Sequence, residues 1–465
     1  MTNFIHENTS LVLLLLGPTL ILFMIFFLRR PERGLYMTFF FTGILITPHL
    51  PVVRDKFTAG ELFMLLTWFI LISYSRDTKN QAPLSKAQIN VMLLGAAFIT
   101  WTIITYIVNG LIYTAAFTDS ANSLIETCNF IYGYMMFLTV VFLVRNWDLW
   151  KQCLNSWLWG SVVVSFFGVL ALAGHGPSWS YDAFTHRVCS TLRTENQVPS
   201  FLLPIFVVLI FMIVQKGRKY RERFALTVLE IGVFLTAIGT GSRTAFLMLM
   251  VAGAGIIYVA SREARFRSFN SNKLAKLTTF AFFIFLLYLA ICLVGYRGDY
   301  SLGHTPAWQR PVVMFFDWIE GNRNLDENRT RQLEFVSENI GDNLVFGTGP
   351  KNYGDLYGIE EIHNTYVGVL FQMGVPGLLF FLAWLWGVVH IGWKASKRIQ
   401  VPEQRLIVLC MVVGMGLLLL YSLTMFGLRQ RNIWLLAGLL VSADSLVPRR
   451  KKAPTLTHPS SGGQP

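Results

Sequence analysis

Charge is scarce in this 465-residue chain: Asp, Glu, Lys and Arg together make up 14%, against 54% hydrophobic residues. So little charge cannot solvate the two or three soluble domains that the length would otherwise suggest. A nucleic-acid-binding domain and a soluble enzyme with a single tail anchor are excluded on the same ground. Cysteine is scarce as well. The five (Cys128, Cys153, Cys189, Cys292 and Cys410) fall mostly in or beside apolar stretches, with no CxxC spacing and no pair sharing a loop. That excludes a disulfide framework and a thiolate metal site. There is no HExxH, His/Cys cluster or EF-hand loop, no GxGxxG after a strand and no Walker A, so neither a metal nor any other cofactor is expected. Internal repeats are missing, and the one low-complexity tract is THPSSGGQP, in a tail (446–465) that reads as disordered.

What fills the chain is apolar blocks of membrane-spanning length. Thirteen are visible, at about 10–28, 35–53, 59–75, 89–116, 123–144, 152–174, 198–215, 224–241, 243–260, 275–296, 364–393, 406–424 and 427–444. A helix needs about 20 such residues to cross the hydrocarbon core. The fold class expected is therefore an all-α polytopic membrane protein with about 12–13 transmembrane helices. The first block lacks a basic flank and a small-residue cleavage site, so it reads as a retained helix. The net charge of +13 is explained by loops: one alternate set of connections holds 26 Lys and Arg, the other 13, six of them in the single long connection 297–362. By the positive-inside rule the richer set, with the tail, is cytoplasmic, and 297–362 is exterior. No nucleic-acid partner is needed. Within the long connection, Trp308, Phe315, Phe316, Trp318 and Ile319 suit an interface, and 328–340 reads as an amphipathic helix with Leu333, Val336 and Ile340 on one face.

Exterior arginines are the first candidates for chemistry. Arg187 and Arg193 lie in the connection 175–197, Arg243 sits in a tight Gly-Ser turn (TGSRTAFL), and Arg329 and Arg331 open the amphipathic stretch. Guanidinium groups keep their charge and carry fixed donors, so several converging from separate connections suit a diphosphate or another polyanion. Each taken singly also fits snorkelling or an ion pair, for instance with Glu195. His363 opens the helix that follows the long loop, where an imidazole can act as a general base near neutral pH or serve as a polar cap. Asn364 is a suitable helix cap. The Gly-rich run 347–354 precedes it and reads as a turn, and exterior carboxylates, including Glu360 and Glu361, leave a paired-carboxylate mechanism open.

In these residues the chain resembles the bacterial O-antigen ligase and O-antigen polymerase superfamily. Arg243 and Leu247 match an Arg-x-x-x-Leu signature; His363, Asn364, Gly374 and Gly377 match a His-Asn signature ending in Gly-x-x-Gly. Arg187 or Arg193 with Asn196, and Arg329 with the Gly347–Gly349 pair, match looser features. Gln372 stands where many members carry Glu, and Leu344 where Pro is usual. The resemblance implies a multi-helix core (1–445) with a periplasmic loop (297–362), in the bacterial inner membrane. It further implies a metal-independent, inverting glycosyltransferase using a glycan on undecaprenyl diphosphate. Arg187, Arg193, Arg243, Arg329 and Arg331 would hold the diphosphate, His363 would activate the acceptor hydroxyl, and Asn364 and Asn196 would support them. The acceptor would be lipid A-core for a ligase, or another lipid-linked glycan for a polymerase. A lipid-linked oligosaccharide transporter is the expectation from a different class, opposed by the absence of repeated halves.

Overall fold

The computed structural model describes residues 30–45, 58–73, 83–112, 121–182, 185–215, 217–263, 290–292, 306–310, 312–313, 327–352 and 362–447. The apolar block 10–28, most of block 275–296, the side chains Phe315, Phe316, Trp318 and Ile319, Glu360 and Glu361, and nearly all of the tail lie outside them.

The described residues form an all-α structure, without a named strand. Its helices are α1 (Pro31–Phe41), α2 (Ala59–Ser73), α3 (Lys86–Ile112), α4 (Ala121–Leu143), α5 (Trp147–Leu172), α6 (Gln197–Val214), α7 (Tyr220–Gly239), α8 (Arg243–Glu263), α9 (Glu327–Asn339), α10 (Thr365–Arg398), α11 (Pro402–Tyr421) and α12 (Arg431–Ser442). Six of them, α3, α4, α5, α6, α10 and α11, are long and apolar enough to cross a membrane. The chain is a polytopic membrane protein. Two blocks form shorter helices than their hydrophobicity predicts. α1 ends at Phe41, and α12 starts only at Arg431, after the turn over 422–430 that Thr365 holds through Met425 and Gly427.

Local chemistry sets the helix starts. Thr58 and Glu61 form a reciprocal cap on α2, each taking the other's backbone N–H, at 3.4 and 2.7 Å. Ser85 and Gln88 do the same for α3, and Asn146 caps α5 by accepting the Leu149 N–H. The bundle is built from the pairs α3 with α10, α6 with α11, α4 with α12, α1 with α2 and α5 with α7. Its centre is aromatic: Trp150, Trp157, Trp384 and Trp434 are fully buried, the last two with ring centroids 4.8 Å apart. Large apolar side chains also face outward, including Ile72 at 85% exposure and Trp386 at 70%. A water-facing surface would not tolerate such a belt, whereas a lipid-facing one requires it.

Cross-links gather the loops at one end. Tyr421 donates to the Asn196 carbonyl, the Thr365 N–H donates to Ser422, and the Leu45 N–H donates to Thr191. The ends of α1, α6, α10 and α11 therefore meet where 185–196 crosses the bundle. At the other end Gln88 donates to Val441 and Trp150 to Leu439.

Candidate active site

The turn between α7 and α8 is the structural centre of this loop-bearing end. Gly241 adopts φ +63, a left-handed conformation that glycine tolerates without cost, and Ser242 then caps α8 by accepting the Ala245 N–H. Arg243 is thereby the first helical residue, where backbone N–H groups already favour an anion. Arg187 reaches across the same turn. Its Nε donates to the Thr240 carbonyl at 2.5 Å and its Nη1 pairs with Glu195 at 2.6 Å. The Val188 N–H donates to the Gly239 carbonyl, so Val188, itself bridged to Tyr181, lies against the turn backbone.

A third arginine, not anticipated from the sequence, completes the arrangement. Arg310, from the long loop, is buried, and a Cβ on Gly241 would sit 3.4 Å from its Cδ and 3.5 Å from Arg187 Nε. Gly241 is thus the floor between two guanidinium-bearing chains. In the sequence only the interfacial cluster that begins at Trp308 marked that stretch.

Other expected residues stand elsewhere. Arg193 is exposed and separate from the Arg187 clamp; its backbone N–H donates to Gln197. Asn196 contributes its carbonyl, not its side chain, which makes no cap on α6. Arg329 lies in the first turn of α9, followed by the exposed Arg331. That helix forms as expected, but its buried face carries Phe335, Val336 and Ile340 against Ile362 and Phe371, while Leu333 is half exposed. The face is turned because α9 docks on α10, with Phe335 edge-on to Phe371 at 5.7 Å.

Docking of α9 also places His363. The His363 N–H donates to Gln332 of α9, and Asn364 caps α10 by accepting the Tyr366 and Val367 N–H groups at 3.0 and 3.1 Å. The imidazole is half-buried beside this cap. Farther along, α10 is broken at Gly374, at φ +67. Pro376 cannot donate to Gln372, so the Gly349 N–H fills that carbonyl instead; Thr348 serves Phe371, Trp101 serves Met373, and the Val375 N–H goes to Leu344. The Gly-x-Gly run is the loop that makes these substitutions, and side chains at Gly347 or Gly374 would collide with the opposing backbone.

Two buried ion pairs were also missed. Arg429 grips Glu126 at 2.6 and 2.8 Å, and Arg431 binds Glu61 at 2.7 Å together with Asn129 at 2.9 Å. Their sequence signal is charge inside apolar blocks: Glu61 in 59–75, Glu126 in 123–144, and Arg429 and Arg431 at the start of 427–444.

With Arg243, the Gly-x-Gly loop and His363 placed, comparison with known families becomes informative. Residues 228–382 match the family model described as O-antigen ligase. Through this stretch the chain is similar to the O-antigen ligase and polymerase superfamily. No curated protein matches the chain. The O-antigen ligase match runs from α7 to the middle of α10, and so takes in Arg243, Arg310, α9, His363 and the helix break. That family's description points to a glycosyl-transferring activity and suggests a lipid-linked glycan in a membrane setting. Arg187 lies before the matched segment and joins it through Thr240.

Proposed function

We propose that the protein is a metal-independent, inverting glycosyltransferase of the O-antigen ligase type. It moves a glycan from undecaprenyl diphosphate to an acceptor hydroxyl of lipid A-core on the periplasmic side of the bacterial inner membrane, leaving the C-terminal tail cytoplasmic. The observation carrying this reading is the turn at Gly241, where Arg187 and Arg310 flank backbone that leads directly into Arg243.

In the reaction the acceptor O–H attacks the anomeric carbon while the bond from that carbon to the diphosphate oxygen breaks. Attack from the opposite face inverts the configuration. His363 receives the hydroxyl proton, and the electron pair of the broken bond leaves with the diphosphate. Arg187, Arg243 and an arginine of α9 (Arg329 or Arg331) stabilise that growing negative charge in a site of low dielectric, where fixed donors are worth most. Asn364 holds the helix start that carries the base. Arg193, which stands apart from the Arg187 clamp, and Asn196, whose carbonyl is taken by Tyr421, have no part on the diphosphate side in this reading.

The decisive experiment offers purified protein a lipid-linked repeat unit with and without lipid A-core. A product on lipid A-core supports the ligase reading; glycan growth without it makes the protein a polymerase. Arg243→Ala and His363→Ala should each reduce transfer by at least ~10²-fold at normal expression. Near-normal product from either variant removes that residue from the mechanism. EDTA should leave the rate unchanged, and strong inhibition would contradict the metal-free reaction.

A further inference from the structure

A cavity of about 200 Å³ opens between the start of α2, α4, the start of α6 and the start of α12, lined among others by Glu61, Asn129, Arg193, Gln197, Phe201 and Arg431. For scale, a cavity of about 150 Å³ holds one benzene-sized ring. The wall mixes chemistry in an unusual way for the interior of a membrane bundle. Glu61 offers carboxylate oxygens, of which one already accepts from Arg431 and the other from the Thr58 N–H. Asn129 uses its oxygen to accept from Arg431 and Gln197 uses its oxygen to accept from the Arg193 N–H. Among the described residues both amide NH2 groups keep their donors. Phe201, Leu45 and Leu192 supply apolar wall.

A diphosphate is poorly suited here. Of the three arginines in the wall, Arg431 is matched by Glu61 and Arg429 by Glu126, which leaves the exposed Arg193 as the one cation not paired there among the described residues, and a carboxylate stands in the wall as well. A pyranose ring has the complementary pattern: hydroxyls that both donate and accept, and C–H faces that pack on apolar side chains. The cavity is also tied to the His363 helix. Thr365 donates to Met425 at 2.7 Å and accepts the Gly427 N–H at 2.8 Å, which anchors the turn bearing Arg429 and Arg431 two residues beyond His363.

We propose that this cavity is a sugar subsite, taking one uncharged, hydroxyl-bearing pyranose ring of the glycan that the enzyme handles, with Asn129 and Gln197 as its free donors. The assignment to that glycan rests on the function proposed above. The test is equilibrium dialysis of the full chain in detergent against tritiated oligosaccharide released by mild acid from the host's lipid-linked glycans, which carries neither lipid nor diphosphate. Wild type should bind it, and Asn129→Ala combined with Gln197→Ala should weaken binding by roughly tenfold or more, as two hydrogen bonds are lost. Gln197→Glu, of nearly unchanged shape, should weaken it too, and melting curves of all variants confirm folding. Absence of binding, unchanged affinity in the variants, or displacement by inorganic diphosphate would each overturn the subsite. Because no transfer is measured, a chain that binds the oligosaccharide but transfers nothing counts against the proposed reaction alone. Transfer with oligosaccharide affinity insensitive to these substitutions counts against the subsite alone.

Discussion

Arg187 carries two duties with one planar group, holding the Thr240 carbonyl and Glu195 at once. A lysine has the charge but not the fork, so it can satisfy one partner at a time. Arg187→Lys should therefore retain the fold and lose transfer by about a hundredfold, measured as rate in reconstituted membranes beside an unchanged melting curve. An undiminished rate would reduce Arg187 to a structural tie. Next to it, Cys189 is buried, and burial, followed by the carboxylates of Glu195 and Asp182, pushes its thiol up to about 12 against a smaller opposing pull from Arg187. Raising the pKa of an acid group removes thiolate below that value, so Cys189 should resist iodoacetamide at pH 8 and react only on unfolding or in strong alkali. Mass spectrometry of the alkylated chain checks this; rapid labelling of the folded protein at pH 8 contradicts it. Neither behaviour is legible in HRVCSTLRTEN, where Arg187 and Arg193 look equivalent. Their fates differ because only Arg187 faces the α7–α8 turn.

At the scale of the element, α10 shows how a signature can be read correctly as a motif and yet leave its physical purpose hidden. Gly374 and Gly377 matched a family pattern, and Gly347 and Gly349 looked like an ordinary turn. In space they form one joint, since the loop lays its N–H groups on the carbonyls that Pro376 and the Gly374 break leave open. Gly374→Ala places a Cβ against the Val345 carbonyl at a left-handed φ. It should cost about 1–3 kcal/mol or more, seen as a lower melting temperature. Trp101→Phe deletes the donor to Met373 while leaving a ring to stack on Phe346, and should cost about 1–3 kcal/mol by the same measure. A melting temperature insensitive to both changes would mean the joint is not held as described. The amphipathic stretch at 328–340 teaches the complementary lesson. Its helical period was readable, but its buried face was set by Phe371 across the contact and not by the sequence spacing of Leu333.

Across the whole molecule, the Glu61–Arg431 and Glu126–Arg429 pairs tie α2 and α4 to the turn before α12, far apart in sequence. In a mostly buried pair, removing one partner strands the other's charge. Arg431→Met alone should thus destabilise the protein by about 3–5 kcal/mol, whereas Arg431→Met with Glu61→Met should be nearly neutral. Thermal melts of the single and double variants form the cycle, and equal losses in both would deny the coupling.

Apolar block length and charge poverty were enough, by themselves, to determine a helical membrane bundle, because the bilayer leaves a chain of this composition no other way to satisfy its backbone. The order Arg243, Gly-rich run, His363 was likewise present in the primary structure, and so was the resemblance it carried. Only the tertiary structure decided that Arg187 and not Arg193 clamps the turn at Gly241, that Arg310 packs against the same glycine, and that Glu61, Glu126, Arg429 and Arg431 meet. Those outcomes depend on which helix ends come together, a matter of packing between segments hundreds of residues apart, and no local periodicity encodes it.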